Sequence, residues 1–502
     1  MSIISAYVRE DWLYTASILR SKNIFSFEND DDGFIRFVKD LLARKIIKLK
    51  SKPDNDIIVD DDLEFNTYND KTYLNATYKF TFVGIAICHN RIIYVYPKYI
   101  GESKKLPSYN PQRELAQVLR VIEKYSREKS KQYIYNIDLF SNEGNHNKDK
   151  LLSVMLFLLE DYSANGAYET DETIIEINGS DDILWQKTID ETYPIFYDNR
   201  PYYIELYTRK NVNNDFDYLK RLHEFVVTKC SQEIEKASLT DFFSLPSIYI
   251  SDEDESAFGD EEHILSVLEN TISQTFDDRK LSVLIALKLY FNSAKVLLGE
   301  NELQLIGTRS FSAIWEEVCA RVFTSQKNDS LNKITPYIDH SMINKNFKGK
   351  MPTLVELIKQ PIWKRYRKGA KGVPKDTLNP DYLRFECKAN HDNYVFYILD
   401  AKYYCPDWTN DSISGQPGIE DISKQYLYYL AYRDVLDKYK VNEVKNYFLM
   451  PKRKDEDKIP GFAKIDILKQ LGLGVIEVRM LDPQLMYDKY LQNHHINLSE
   501  LQ

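Results

Sequence analysis

The sequence predicts an α/β protein whose C-terminal third folds as a mixed sheet flanked by helices. Two observations carry this prediction. Helical patterns alternate with short apolar strand patterns in residues 301–502, and both charge and pattern change near residue 300. A length of 502 residues suggests two to three domains, which we place at 1–110, 111–300 and 301–502.

The composition narrows the class of protein. The net charge is −10, but residues 301–502 carry 30 Lys+Arg against 26 Asp+Glu, which leaves 36 against 50 for residues 1–300. This asymmetry is typical of halves with different partners, or of surface charge that simply varies between domains. The five cysteines form no C-x-x-C pair, which argues against a zinc site or a disulfide framework. With no membrane-length apolar stretch and no signal-peptide pattern, we expect a cytoplasmic protein without a membrane partner.

Residues 1–110 have the pattern of a small α/β domain. Apolar spacing predicts a helix over Phe34–Lys48, and two β-rich runs follow at Tyr78–Cys88 and Arg91–Tyr96. A helix followed by a hairpin is compatible with a winged DNA-binding unit and with a partner-docking module. The local charge does not decide between them.

Residues 111–300 are predicted to be mostly helical. The helical patterns cover Gln112–Tyr125, Leu151–Tyr162, Tyr218–Glu235, Glu262–Ser273 and Lys280–Leu298. The tyrosine-rich segment Ile177–Thr208 differs from them, since it alternates turn residues with β-formers.

Residues 301–502 alternate helices with strands. We predict helix Phe311–Phe323, strands Tyr382–Cys387 and Tyr394–Leu399, helix Ile419–Tyr439, strands Val444–Leu449 and Gly474–Val478, and a final helix. This order predicts a mixed sheet with helices on its faces.

Three charged residues lie at the ends of the first two of these strands. Asp400 and Lys402 follow the apolar run Tyr394–Leu399, and Asp381 precedes the neighbouring strand in a Pro-Asp pair. Residues i and i+2 of a strand point to one face, and a hairpin would bring Asp381 beside them. A surface ion pair at a strand end is the simpler reading of the same residues.

Phosphodiester hydrolysis is the chemistry that uses such a set. Two carboxylates bind a hard divalent cation, Mg²⁺ or in its place Mn²⁺, through oxygen. The cation polarises the phosphate and acidifies a bound water, while the lysine orients that water or stabilises charge. We therefore predict Asp381 and Asp400 as metal ligands and Lys402 as a catalytic residue.

Two helices offer supporting residues. Gln425 and Tyr429 share a helix face, where the amide would contact a metal ligand or DNA and the ring would pack below it or in the core. On the first helix we prefer Glu316 over Glu317 as an additional metal ligand. Solvent-facing glutamates are the alternative.

A basic run precedes Asp381, beside Trp363 and Tyr366. We predict that it contacts the phosphate backbone of DNA, although a solvated loop would have the same composition. Its predicted DNA-binding residues are Lys364, Arg365, Arg367, Lys368 and Lys371.

These elements, in this order, resemble the PD-(D/E)xK nucleases in their Gln-x-x-x-Tyr version. The strings IWEEVCARVF, LDAKYY and KQYLYYL resemble McrC, the nuclease subunit of modification-dependent restriction. The segment Ile183–Thr208 resembles LlaJI-type restriction endonucleases, which extends the likeness over most of the chain.

The resemblance implies a Mg²⁺-dependent endodeoxyribonuclease subunit that cuts double-stranded DNA in antiviral defence. It also implies a separate McrB-like AAA+ motor that hydrolyses GTP and into which the N-terminal region docks. Two alternatives remain open at this stage: a non-catalytic activator of an AAA+ ring, and a different nucleic-acid enzyme on the same fold.

Overall fold

The computed structural model describes residues 4–50, 70–100, 111–129, 151–169, 171–180, 182–213, 217–237, 239–243, 245–293, 304–334, 352–364, 371–372, 377–387, 394–409, 412–438, 441, 443–453 and 458–501. The chain divides into two compact units. One comprises Met1–Ile3, Ile87–Asn90 and Ser130–Ile306. The other comprises Ile4–Ala86, Arg91–Lys129 and Gly307–Gln502. The predicted boundaries at 110 and 300 stay predictions.

The N-terminal region contains both strands and helices. Its strands are β1 (Ile4–Arg9), β2 (Leu13–Thr15), β3 (Ile47–Lys50), β4 (Thr77–Phe80), β5 (Val83–Cys88) and β6 (Arg91–Tyr96). Its helices are α1 (Ala16–Arg20), α2 (Asp31–Ala43) and α3 (Asp70–Asn75). Strands β2, β4 and β3 form one antiparallel sheet, and β1 pairs with β6 in parallel.

Two bounds differ from the sequence prediction in this region. The helix expected over Phe34–Lys48 ends at Ala43, because Lys45 adopts a φ of 54° and the chain turns into β3. The run Tyr78–Cys88 is two strands rather than one, β4 and β5, and they belong to different sheets.

The middle region contains more helix than strand among its described residues. Its helices are α4 (Pro111–Lys129), α5 (Leu151–Asn165), α6 (Trp185–Glu191), α7 (Tyr218–Lys236), α8 (Thr240–Phe243), α9 (Glu261–Gln274) and α10 (Asp278–Phe291). Its strands are β7 (Asp171–Ile177), β8 (Asp182–Ile183), β9 (Ile195–Tyr197), β10 (Arg200–Tyr202) and β11 (Tyr207–Asn213). Strand β11 pairs with β7 and β8, and β9 with β10 forms a hairpin.

The C-terminal third contains the mixed sheet that its pattern predicts. Its strands are β12 (Gln304–Thr308), β13 (Trp363–Lys364), β14 (Lys371–Gly372), β15 (Tyr382–Cys387), β16 (Tyr394–Ala401), β17 (Asp407–Thr409), β18 (Ser412–Ser414), β19 (Glu443–Pro451), β20 (Phe462–Ala463) and β21 (Ile476–Leu481). Its helices are α11 (Phe311–Phe323), α12 (Leu331–Ile334), α13 (Ile419–Lys438) and α14 (Pro483–Leu491).

Five strands build the central sheet in the order β15-β16-β19-β21-β20. Strand β16 is antiparallel to β15 and parallel to β19, and β21 is parallel to β19 but antiparallel to β20. Helix α13 packs on one face through two apolar clusters, in which Tyr432 meets Phe396 and Ile398, and Tyr426 meets Phe448. No helix within the described residues is both long and apolar enough to cross a membrane.

Candidate active site

Asp381 and Asp400 face each other at one end of the β15–β16 pair. Tyr382 pairs with Leu399, so the register sets Asp381, immediately before β15, opposite Asp400. The two carboxyl groups share a hydrogen bond, and Asp400 is only 3% exposed. Burial raises the pKa of Asp400 well above its usual range. The hydrogen bond with Asp381 and the negative charge of Asp381 raise it further. The structure therefore brings the two predicted acidic residues together.

Lys402 lies directly after β16 and completes a charged group with these acids. Its backbone N–H donates to the carbonyl of Leu449 at 2.9 Å. Its Nζ lies 3.2 Å from Asp400 Oδ2 and 3.1 Å from Asp421 Oδ1. Burial opposes the positive charge, but the carboxylates of Asp400 and Asp421 outweigh it and raise the pKa of Lys402.

Glu316, on α11, interacts electrostatically with Asp381 and Lys402. Burial and the charge of Asp381 raise the pKa of Glu316, while Lys402 and Lys327 act in the opposite direction. Glu317, one residue on, forms an ion pair with Arg321 at 2.9 Å. The described residues nevertheless contain no group of three or more His, Cys, Asp or Glu side chains in a metal-holding arrangement.

Gln425 connects α13 to the sheet under the candidate site. Its side chain is completely buried, and Nε2 donates to the carbonyl oxygens of Ile398 at 3.2 Å and Tyr447 at 3.4 Å. Its Oε1 is buried without a hydrogen-bond partner among the described residues. Tyr429, one turn further on, packs against both apolar clusters of the sheet. In this arrangement the amide nitrogen bonds backbone carbonyls of two adjacent strands.

Asp421 is a charged neighbour that the sequence reasoning did not single out. It precedes Gln425 by four residues, and this helical spacing could have identified it. The phenol of Tyr428 also interacts electrostatically with Asp381 and Asp400. Burial, followed by the charges of Asp400 and Asp381, raises its pKa to about 12.

The basic run is only partly described. Trp363–Lys364 and Lys371–Gly372 pair as short antiparallel strands, so Lys364 lies opposite Lys371. Trp363 is 71% exposed beside them. Arg365, Arg367 and Lys368 lie outside the described residues, and the DNA-binding assignment of this run remains a prediction.

The donor chemistry fits a hard divalent cation. Asp381 and Asp400 offer only oxygen ligands, the type that Mg²⁺ prefers. Two carboxylates this close to each other repel, and a divalent cation bound between them would relieve that repulsion. The unpartnered Oε1 of Gln425, on helix α13, is a further buried oxygen acceptor.

The family model of the LlaJI restriction endonuclease matches residues 82–480. The chain belongs to the LlaJI restriction endonuclease family. This confirms the LlaJI-type resemblance stated from the sequence.

One relative of this LlaJI-family chain is the BsuMI component YdjA, a type II restriction enzyme component of Bacillus subtilis (strain 168). It is 27% identical over 431 residues, covering 84% of this chain and 83% of the relative.

Two solved structures show a distant likeness. A chain of the Thermococcus gammatolerans assembly of McrB AAA+ hexamers with bound McrC gives 14% identity and a TM-score of 0.39, covering 97% of this chain and 98% of that chain. A chain of the McrBC complex from the same organism gives 13% identity and a TM-score of 0.26, covering 63% and 87%.

Proposed function

We propose that the chain is the Mg²⁺-dependent endodeoxyribonuclease subunit of its restriction system, with a PD-(D/E)xK site on the central sheet. The observation that supports this most directly is the convergence of Asp381, Asp400 and Lys402 at adjacent strand ends. Membership of a restriction endonuclease family gives that acidic pair a substrate class, the DNA phosphodiester.

Each residue then has a defined task. Asp381 and Asp400 would hold Mg²⁺ or Mn²⁺, with Glu316 adding an oxygen from α11. The ion, when bound, polarises the phosphate and acidifies a water molecule. Lys402 presents an ammonium that stabilises negative charge on the reacting phosphate. Gln425 and Tyr429 hold the strand that carries Asp400, and the basic run from Lys364 to Lys371 contacts backbone phosphates.

A McrB-like AAA+ GTPase is the proposed motor partner. The proposal comes from the resemblance of the strings around Glu316, Lys402 and Gln425 to McrC. The Bacillus subtilis relative is a component of a restriction enzyme, which fits a chain that acts together with other subunits.

Cleavage by the reconstituted system tests the proposal. With Mg²⁺ and partner subunits, the wild-type chain should cut double-stranded DNA, and Asp400→Ala should abolish cutting. Asp434→Ala is the matched control, because that carboxylate of α13 is 92% exposed and lies 4.0 Å from Lys359. A non-catalytic activator of an AAA+ ring is the alternative, and the acidic balance of residues 1–300 motivates it. Unimpaired cutting by Asp400→Ala would favour it.

A further inference from the structure

Asp421 connects helix α13 to Lys402. It lies in the first turn of the helix, and its Oδ1 is 3.1 Å from Lys402 Nζ. Its other oxygen, Oδ2, accepts a hydrogen bond from the Tyr404 hydroxyl at 3.4 Å. The Asp421 and Lys402 side chains are each only 19% exposed. A pair that is largely withdrawn from water is screened less than a surface ion pair and holds its geometry more firmly.

The same helix is fixed to the strand on the other side of Asp400. Gln425, one helical turn after Asp421, donates to the carbonyl of Ile398, two residues before Asp400. Helix α13 therefore contacts the chain on both sides of Asp400. Gln425 contacts Ile398 before it, and Asp421 contacts Lys402 after it.

Lys402 needs such a partner because its stem has four rotatable bonds. With Asp400 as its only partner, the ammonium would have no second contact to fix its position. A second carboxylate at nearly the same distance, 3.1 Å against 3.2 Å, draws it toward α13. Tyr404 in turn orients that second carboxylate.

We propose that Asp421 is the positioning residue of Lys402: it holds the ammonium beside the Asp381–Asp400 pair. This inference rests on the proposed nuclease function. Residues that orient a reacting group without touching the substrate commonly contribute about 10- to 100-fold to activity.

The first test does not depend on cleavage. Brief acetylation of the full-length chain with acetic anhydride, followed by peptide mass spectrometry, measures how accessible the Lys402 amine is. Asp421→Ala and Asp421→Asn should increase acetylation of Lys402, and Glu420→Ala should leave it unchanged. Glu420 is an exposed acid in the same helical turn, so the control removes the same charge from the same helix end. Equal labelling of Lys402 in all variants would overturn the proposal.

The second test uses the reconstituted cleavage reaction and Mn²⁺ binding. Asp421→Ala should lower kcat about 10- to 100-fold with KM changed less than about twofold, and Asp421→Glu should restore part of the loss. Mn²⁺ affinity should stay at the wild-type value, because Asp421 is assigned to the lysine and not to the metal. Loss of Mn²⁺ binding in Asp421→Ala, or wild-type kcat, would overturn the assignment. A wild-type protein that never cuts DNA would refute the nuclease function, while the labelling result would still report on the position of Lys402.

Discussion

Trp315 and Lys402 donate hydrogen bonds to the same acceptor, the backbone carbonyl of Leu449. The indole N–H lies 3.1 Å from this oxygen and the Lys402 amide 2.9 Å. A carbonyl oxygen has two lone pairs and can accept both. One atom of β19 thus fixes the helix that carries Glu316 and the strand end that carries Lys402.

Replacing Trp315 by Phe should weaken this connection. Trp315 is completely buried, so the change removes one hydrogen bond and leaves a small void. We expect the free energy of unfolding to fall by about 1–3 kcal/mol. The carbonyl keeps Lys402 as donor, which limits the loss. Thermal denaturation measures it, with Trp185→Phe as control, since Trp185 is 55% exposed and should change stability by less than about 0.5 kcal/mol. Equal stabilities of the two variants would contradict this role.

Glu10 should make stability depend on pH. It accepts a hydrogen bond from Tyr403 at 2.6 Å, near Lys98 and Asp11. Burial raises its pKa to about 7 despite the hydrogen bond from Tyr403 and the charge of Lys98. The folded protein therefore retains a proton that the unfolded chain has already lost, and stability falls as the pH rises from about 4.5 to about 7.

Glu10→Gln tests this pH dependence. The variant should gain stability relative to the wild type above about pH 7, by up to about 3 kcal/mol, and lose this advantage near pH 4.5. Melting temperatures of both proteins across that range measure the difference. The melting temperature of Asp437→Asn, a change at an exposed position of α13, should vary with pH as that of the wild type does. A constant gap between Glu10→Gln and the wild type at every pH would refute the assignment.

Gln425→Ala should destabilise the fold by about 2–4 kcal/mol, because it removes two hydrogen bonds to strand carbonyls and opens a buried void. Chemical denaturation measures this loss. Leu427→Ala on the exposed side of the same helix should cost far less, since Leu427 is 46% exposed. A Gln425→Ala protein of unchanged stability with weakened DNA binding would show instead that the amide acts on DNA.

Neutralising the basic run should change the salt dependence of DNA binding. Each phosphate contact contributes about 0.9 to the slope of log affinity against log salt concentration. Changing Lys364, Arg365, Arg367, Lys368 and Lys371 together to Gln should therefore flatten this slope by up to about 4.5. Fluorescence anisotropy with a labelled duplex measures it. An unchanged slope would mean that the run is a solvated loop.

Local pattern was sufficient to predict the central sheet and its helices. Helix Phe311–Phe323 and strand Tyr382–Cys387 have the predicted bounds, and β16 runs two residues beyond its predicted end. These segments bury continuous apolar faces, so their periodicity reflects their tertiary environment. The hairpin spacing also predicted that Asp381 and Asp400 would meet.

Contacts between distant segments could not be predicted in this way. Glu10 and Tyr403 are 393 residues apart, and neither belongs to a pattern that points to the other. The early end of α2 depends on the left-handed backbone of Lys45, a residue type with no special preference for that conformation. Such features depend on packing between segments that are distant in the sequence. Local sequence patterns therefore do not predict them.

The most direct test of the central claim is a calorimetric Mn²⁺ titration of the full-length chain. Asp381 and Asp400 should hold the ion together, so the wild type should bind Mn²⁺ and Asp400→Asn and Asp381→Asn should each bind it at least about tenfold more weakly. Asp434→Asn should bind it as the wild type does. Undiminished affinity in both Asp381→Asn and Asp400→Asn would contradict the claim that these two carboxylates form the metal site.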